Sequence, residues 1–170
     1  MRQRVGVNVV GVNVVGVAVV AMYAGLMALQ ALVLDPLAAV PGRSLAAVLG
    51  HLERQGFDVA ADVWTVVVTA AVGVVLAVGV AVWGIVDRLD PVISTVLFLA
   101  LLAFGAPVTF GTGFALGMDV ADGFGTSGAA HTIWAGVLYS TSVLALIGIP
   151  VVVGATWLRR NGRRGRAVVV

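Results

Sequence analysis

The chain has 170 residues, 61% of them hydrophobic and only 11% charged, with a mean hydropathy of +1.10. That balance excludes an ordinary soluble domain, and the lack of any cysteine excludes disulfides, thiolate metal sites and cysteine nucleophiles. The net charge is +2, all basic residues are arginine, and Ala, Val and Gly dominate, which reads as the codon bias of a GC-rich prokaryotic genome.

A short basic start, Met1 to Arg4, precedes an apolar run from Val5 to Leu34. The run is too long for the hydrophobic region of a signal peptide and has no clean small-x-small cleavage site after it, so it reads as an uncleaved first span. As a helix it would extend about 45 Å, more than a bilayer needs, so it should tilt. Its start repeats as Gly6-Val-Asn-Val-Val, Gly11-Val-Asn-Val-Val, Gly16-Val-Ala-Val-Val. The Val content looks strand-like, but the alternation slips at Val9-Val10 and Val14-Val15, so a helix is expected. Five residues separate Asn8 from Asn13, about 140° around a helix, so both cannot line one narrow seam. Asn8 reads as wet at headgroup depth, and Asn13 as either wet or packed against a neighbouring helix.

The segment 35–62 opens with turn chemistry, Asp35-Pro36 and Pro41-Gly42. Within it Leu45, Val48, Leu49 and Leu52 fall at i, i+3, i+4 and i+7, with Ser44 placed as N-cap and Gly56 as the stop. This predicts a short amphipathic helix that lies on the membrane surface or caps the bundle.

Two further apolar runs, 63–86 and 91–110, are separated only by Asp87-Arg88-Leu89-Asp90. Four residues can only reverse the chain, so the runs predict a membrane hairpin around which the rest is arranged. Asp90-Pro91 supplies an N-cap followed by Pro at the first helical position, and Pro107 is expected to kink or stop the third span. The stretch 111–118, with its Gly113-x-x-x-Gly117 spacing, is compatible with a close helix contact, a re-entrant piece or a loop. Residues 111–130 as a whole read as the second loop. A fourth span, 131–158, contains Pro150, which should bend it and free the Leu146 carbonyl. The tail 159–170 carries five arginines.

Trp64 and Trp83 bracket the second span and Trp134 and Trp157 the fourth, the pattern of an interfacial aromatic belt. With four spans, Arg2, Arg4, Arg88, Arg159, Arg160, Arg163, Arg164 and Arg166 share one side, and only Arg43 and Arg54 lie on the other. The positive-inside rule therefore predicts cytoplasmic termini. The expected fold is an all-α integral membrane protein, a four-transmembrane-helix bundle with both termini inside.

Candidate chemistry is sparse. Arg159, Arg160, Arg163, Arg164 and Arg166 read as stop-transfer residues that meet anionic lipid headgroups rather than nucleic acid. His51, His131, Asp119 and Asp122 share the outer side and offer metal-binding or acid–base chemistry, although HxxxH, HExxH and DxDxDG spacings are lacking. No span interior carries Asp, Glu, Arg or His, the residues that mark proton relays and ion paths. No cofactor is expected. Small-residue positions such as Gly25, Gly73, Gly113 and Gly117, with Asn13, read as helix-packing sites within the bundle or with another chain. The leading expectation is a non-enzymatic accessory or interaction subunit. The alternatives are a small permease or channel for an uncharged solute, lined by Asn13, Ser140 to Ser142 and backbone freed at Pro107 and Pro150, and an outer-face enzyme or metal site.

Overall fold

The computed structural model describes residues 2–167, with side chains for residues 9–159 and Asn161. Among the described residues all regular structure is helical. Four stretches are long and apolar enough to cross a membrane: Val9–Ala39, Val59–Val86, Pro91–Phe124 and Ile133–Arg159. The chain is therefore a membrane-spanning helical bundle, and the Val-rich repeat is helix rather than strand.

Helix α1 (Arg2–Leu29) does not stop at Asp35-Pro36 as the turn signal predicted. It passes through a π-helical turn, Gln30–Leu34, into α2 (Asp35–Ala39). The Asp35 N–H donates to the Gln30 carbonyl, five residues back. Pro36 has no N–H to give and its ring crowds the preceding turn, and widening that turn by one residue lets the helix continue through it. The apolar surroundings favour this outcome, since breaking the helix here would leave backbone groups unpaired.

Beyond the Pro41-Gly42 turn, α3 (Leu45–Gln55) forms as its sequence predicts. The Ser44 hydroxyl accepts from the Ala47 N–H at 3.3 Å, and Gly56 closes the helix at φ 94°. Val48 and Leu52 are fully buried against Ala39, Val59, Leu116 and Val120. Removing two such side chains from water stabilises the docked helix by about 3–6 kcal/mol.

Helix α4 (Val59–Val86) starts on Asp58, whose carboxylate accepts from the Ala61 N–H at 3.0 Å. Residues 87–90 reverse the chain with Arg88 at φ 50°, and α5 (Pro91–Ala103) starts on the expected Asp90 cap, which accepts from the Val92 N–H at 2.9 Å. The third span breaks at Phe104, three residues before Pro107, and continues as α6 (Gly105–Phe124). Pro107 thus sits in the first turn of a new helix, where its missing N–H is not needed. Residues 111–124 are helical, so Asp119 and Asp122 lie on α6 rather than in a loop, and the second connection shrinks to residues 125–132. The last helix, α7 (Ile133–Ala167), runs on through Pro150 and into the arginine-rich segment.

The first helix, not the α4–α5 hairpin, is the centre of the bundle: α1 packs most extensively on α4 and also on α5, while α5 packs on α7. Local chain reversal made the hairpin easy to read, but two helices joined by a tight turn need not be each other's main partner. A middle core layer joins Val20, Ala77, Phe98, Leu102 and Ala145. One end of the bundle carries the start of α1, the 87–90 turn and the end of α7, and is called here the terminal end. The opposite, loop end carries α2, α3 and residues 125–132. Trp64, Trp83, Trp134 and Trp157 are all exposed near the ends of the apolar stretches that can cross a membrane, two at each end of the bundle.

Candidate functional site

At the loop end a cavity of about 410 Å³ opens between the π turn and α2, helix α6, and the 128–131 connection. Its walls are Met27, Ala31, Pro36 and Ala39 on one side and Phe110, Gly113, Phe114 and Gly117 on the other, with Tyr139 of α7 behind. A Cβ built on Gly113 or Gly117 would meet nothing within 4 Å. Among the described residues these two glycines therefore make no close helix contact, the first of the two packing roles their spacing predicted. They leave space.

The polar groups of the cavity gather around Asp35. Its Oδ1 accepts from the Gln30 side-chain amide at 3.2 Å and from the His131 backbone N–H at 2.7 Å. The Gln30 side-chain amide oxygen Oε1 accepts from the Thr132 hydroxyl at 2.6 Å. Asp35 Oδ2 lies 3.6 Å from His131 Nδ1, and the Ser127 hydroxyl is 3.4 Å from His131 Nε2. The network ties the start of α7 to the π turn of the first span. In an α-helix Gln30 and Asp35, five residues apart, would point in different directions, and the π turn brings them together.

Deeper in the bundle, Thr109 of α6 lines the same cavity. Its hydroxyl hydrogen-bonds the Tyr23 phenol at 3.0 Å, and Tyr23 in turn hydrogen-bonds the Ser142 hydroxyl at 3.0 Å. Tyr23 reaches this position because residue 105 is glycine: a Cβ there would lie 2.6 Å from the phenol ring. The triad joins α1, α6 and α7 across the middle of the membrane-spanning region.

A third polar pair sits near the terminal end. Asn13 and Ser94 are both fully buried and flank Gly84, whose added Cβ would lie 2.8 Å from Asn13 Oδ1 and 3.0 Å from Ser94 Oγ. Asn13 donates to the Val9 carbonyl of its own helix at 2.8 Å, and neither Asn13 Oδ1 nor Ser94 Oγ has a hydrogen-bond partner among the described residues. Asn13 is therefore buried at a helix crossing, not wet. The side chain of Asn8 lies outside the described residues.

The four residues offered for metal or acid–base chemistry are dispersed. His51 stacks on Phe124 with ring centroids 4.6 Å apart and hydrogen-bonds the Gly123 carbonyl at 3.3 Å, while His131 belongs with Asp35. Asp119 lies beside Asp62 of α4, and Asp122 is exposed. Among the described residues no three His, Asp or Glu side chains form a group able to hold a metal.

The solute path expected from the sequence is assembled only in part. Ser142 is buried in the triad, but Ser140 is exposed and Thr141 donates back to the Val137 carbonyl. Gly25 and Gly73, like Gly113 and Gly117, have no heavy atom within 4 Å of a built Cβ. The close approaches lie instead at Gly16, Gly84, Gly105, Gly123 and Gly128. Arg159 is exposed, and the side chains of Arg160, Arg163, Arg164 and Arg166 lie outside the described residues. Gln30, Asp35, Thr132, Tyr23 and Thr109 were not singled out from the sequence. The one available signal was a lone Gln and a lone Tyr inside an otherwise apolar run.

No family model, curated protein or solved structure matches this chain.

Proposed function

We propose that this chain is a non-enzymatic accessory or interaction subunit of a prokaryotic plasma membrane, with both termini cytoplasmic, that packs against another membrane protein or a second copy of itself. The observation that carries this reading is the outward face of α4. Val68, Val72, Val75, Gly79, Val82 and Val86 recur at alternating spacings of four and three, and all six are exposed. Only 11% of the most apolar part of α4 is buried inside the chain. A stripe of β-branched residues around one glycine, at the spacing of a left-handed helix pair, suits a second helix. In this reading the arginines at 159–166 hold anionic headgroups on the cytoplasmic side, α3 lies at the outer surface, and the loop-end cavity opens outward.

Purification from the native membrane in mild detergent, with mass and composition analysis, tests it. A stoichiometric partner chain or a homodimer is expected, and a monomer in both detergent and bilayer overturns it. Because the chain has no cysteine, a single Val75→Cys variant reports self-association directly: a disulfide dimer that Gly79→Leu abolishes identifies the seam and its partner as a second copy.

The Thr109–Tyr23–Ser142 triad favours a second reading, a small permease for an uncharged solute. Flux in proteoliposomes that falls in Tyr23→Phe would support that reading, and flux equal to empty vesicles would remove it.

A further inference from the structure

We propose that the loop-end cavity is a binding site for a small amine, a molecule with an apolar, ring-sized body and one positively charged nitrogen. The volume of about 410 Å³ falls in the range of small-molecule sites. The space is built by the chain's own choice of residues, since Gly113 and Gly117 stand where any larger side chain would occupy it. Phe110, Phe114 and Tyr139 line it with aromatic surface, which attracts both apolar rings and cations.

The charge preference comes from Asp35. Its side chain is only 18% exposed, and Oδ1 already accepts two hydrogen bonds. Oδ2 has His131 Nδ1 as its nearest basic neighbour at 3.6 Å, beyond hydrogen-bonding distance, so it keeps acceptor capacity. Among the described residues no arginine lines the cavity: Arg43 lies over the Phe124 ring instead. A shielded carboxylate whose Oδ2 accepts no hydrogen bond among the described residues, beside aromatic walls, recognises an ammonium better than a neutral or anionic end, and the amine takes the place of His131 as its cationic neighbour. The Tyr139 phenol also lines the cavity, and among the described residues none hydrogen-bonds it, so it can serve a ligand's polar end. The site stands whether or not α4 has a partner, so its failure and that of the subunit reading are separate.

The test uses the full chain in nanodiscs of zwitterionic lipid, with 2-phenylethylamine, its neutral isostere propylbenzene and the anion 3-phenylpropionate as probes. Calorimetry or ligand-observed NMR should show saturable amine binding, with both other probes at least about tenfold weaker. Asp35→Asn keeps an acceptor for Gln30 and His131 and should bring the amine down to the neutral isostere. Gly117→Leu fills the space from α6, away from the Asp35 network, and should abolish binding of all three. Thermal melting of each variant checks that it is folded, and the Gly117→Leu comparison decides the matter if Asp35→Asn does not fold. Absent amine binding, amine binding unchanged by Gly117→Leu, or equal binding of amine and propylbenzene overturns the proposal. Equal binding would mark the space as a void for lipid chains.

Discussion

The two ends of the bundle use the same residue type for opposite purposes. At the terminal end Gly84 lets α4 approach Asn13 and Ser94 so closely that a Cβ would lie 2.8 Å from the Asn13 oxygen. At the loop end Gly113 and Gly117 face open space, and the helices are tied instead by a hydrogen-bond network around Asp35. Around Gly84 the helices are held by contact, and around Gly113 and Gly117 by polar bridges across a cavity beside the packed face of α3. Glycine in a membrane helix therefore has no fixed meaning. What decides it is whether a neighbouring helix stands over the missing side chain, and nothing local to the glycine shows that.

The sharpest way to break this contrast is Gly84→Val. The added methyls would enter space held by Asn13 and Ser94, both fully buried and enclosed by three helices. Overpacking of this kind should lower stability by about 2–3 kcal/mol, read from unfolding in mixed detergent and SDS micelles. A change below about 0.5 kcal/mol would show that the terminal end is loosely packed and would erase the comparison.

The same distinction separates what the sequence makes legible from what it does not. The existence of four apolar helices, the Asp90 and Ser44 caps, the Gly56 stop and the α3 face depend on neighbours within a few residues, and each is found, although the first and third helices run past the ends the pattern gave them. Asp35-Pro36 misled because its turn signal is calibrated on chains whose broken helices can bond to water. In an apolar run the backbone instead absorbs the proline in a π turn. Pro107 misled differently, since the helix breaks at Phe104 and leaves the proline in a fresh first turn. The site is less legible still. Asp35 meets His131 from 96 residues away and Gln30 meets Thr132 from 102 away, pairings that no local spacing encodes.

Between the two ends, Tyr23→Phe removes both hydrogen bonds of the triad and leaves the packing of the ring intact. Polar contacts between membrane helices are individually modest, so a loss of about 1 kcal/mol is expected. Measured beside Thr109→Val and Ser142→Ala in double-mutant cycles, coupling near zero would show that the three hydroxyls are neighbours without mutual stabilisation. Ser94→Ala should act in the opposite direction. Its hydroxyl is fully buried without a hydrogen-bond partner, so removing it relieves an unmet desolvation penalty and should raise stability by about 0.5 kcal/mol. A loss of more than about 1 kcal/mol would mean that the hydroxyl is engaged after all.

Gly117→Ala is the smallest expected effect and the control for the rest. The substitution adds one methyl to a helix, as Gly84→Ala would, but here the methyl enters the cavity and meets nothing within 4 Å. Helix propensity contributes little, because a membrane helix keeps its backbone hydrogen bonds even when its partners leave. Stability should therefore stay within about 0.5 kcal/mol of the parent, while Gly84→Ala falls well below it. If the two alanine variants instead lose stability equally, the cavity closes in the bilayer, and Gly117 is a contact glycine like Gly84. That single pair of measurements therefore separates a cavity held open by the Asp35 network from one that collapses when lipid presses on α6.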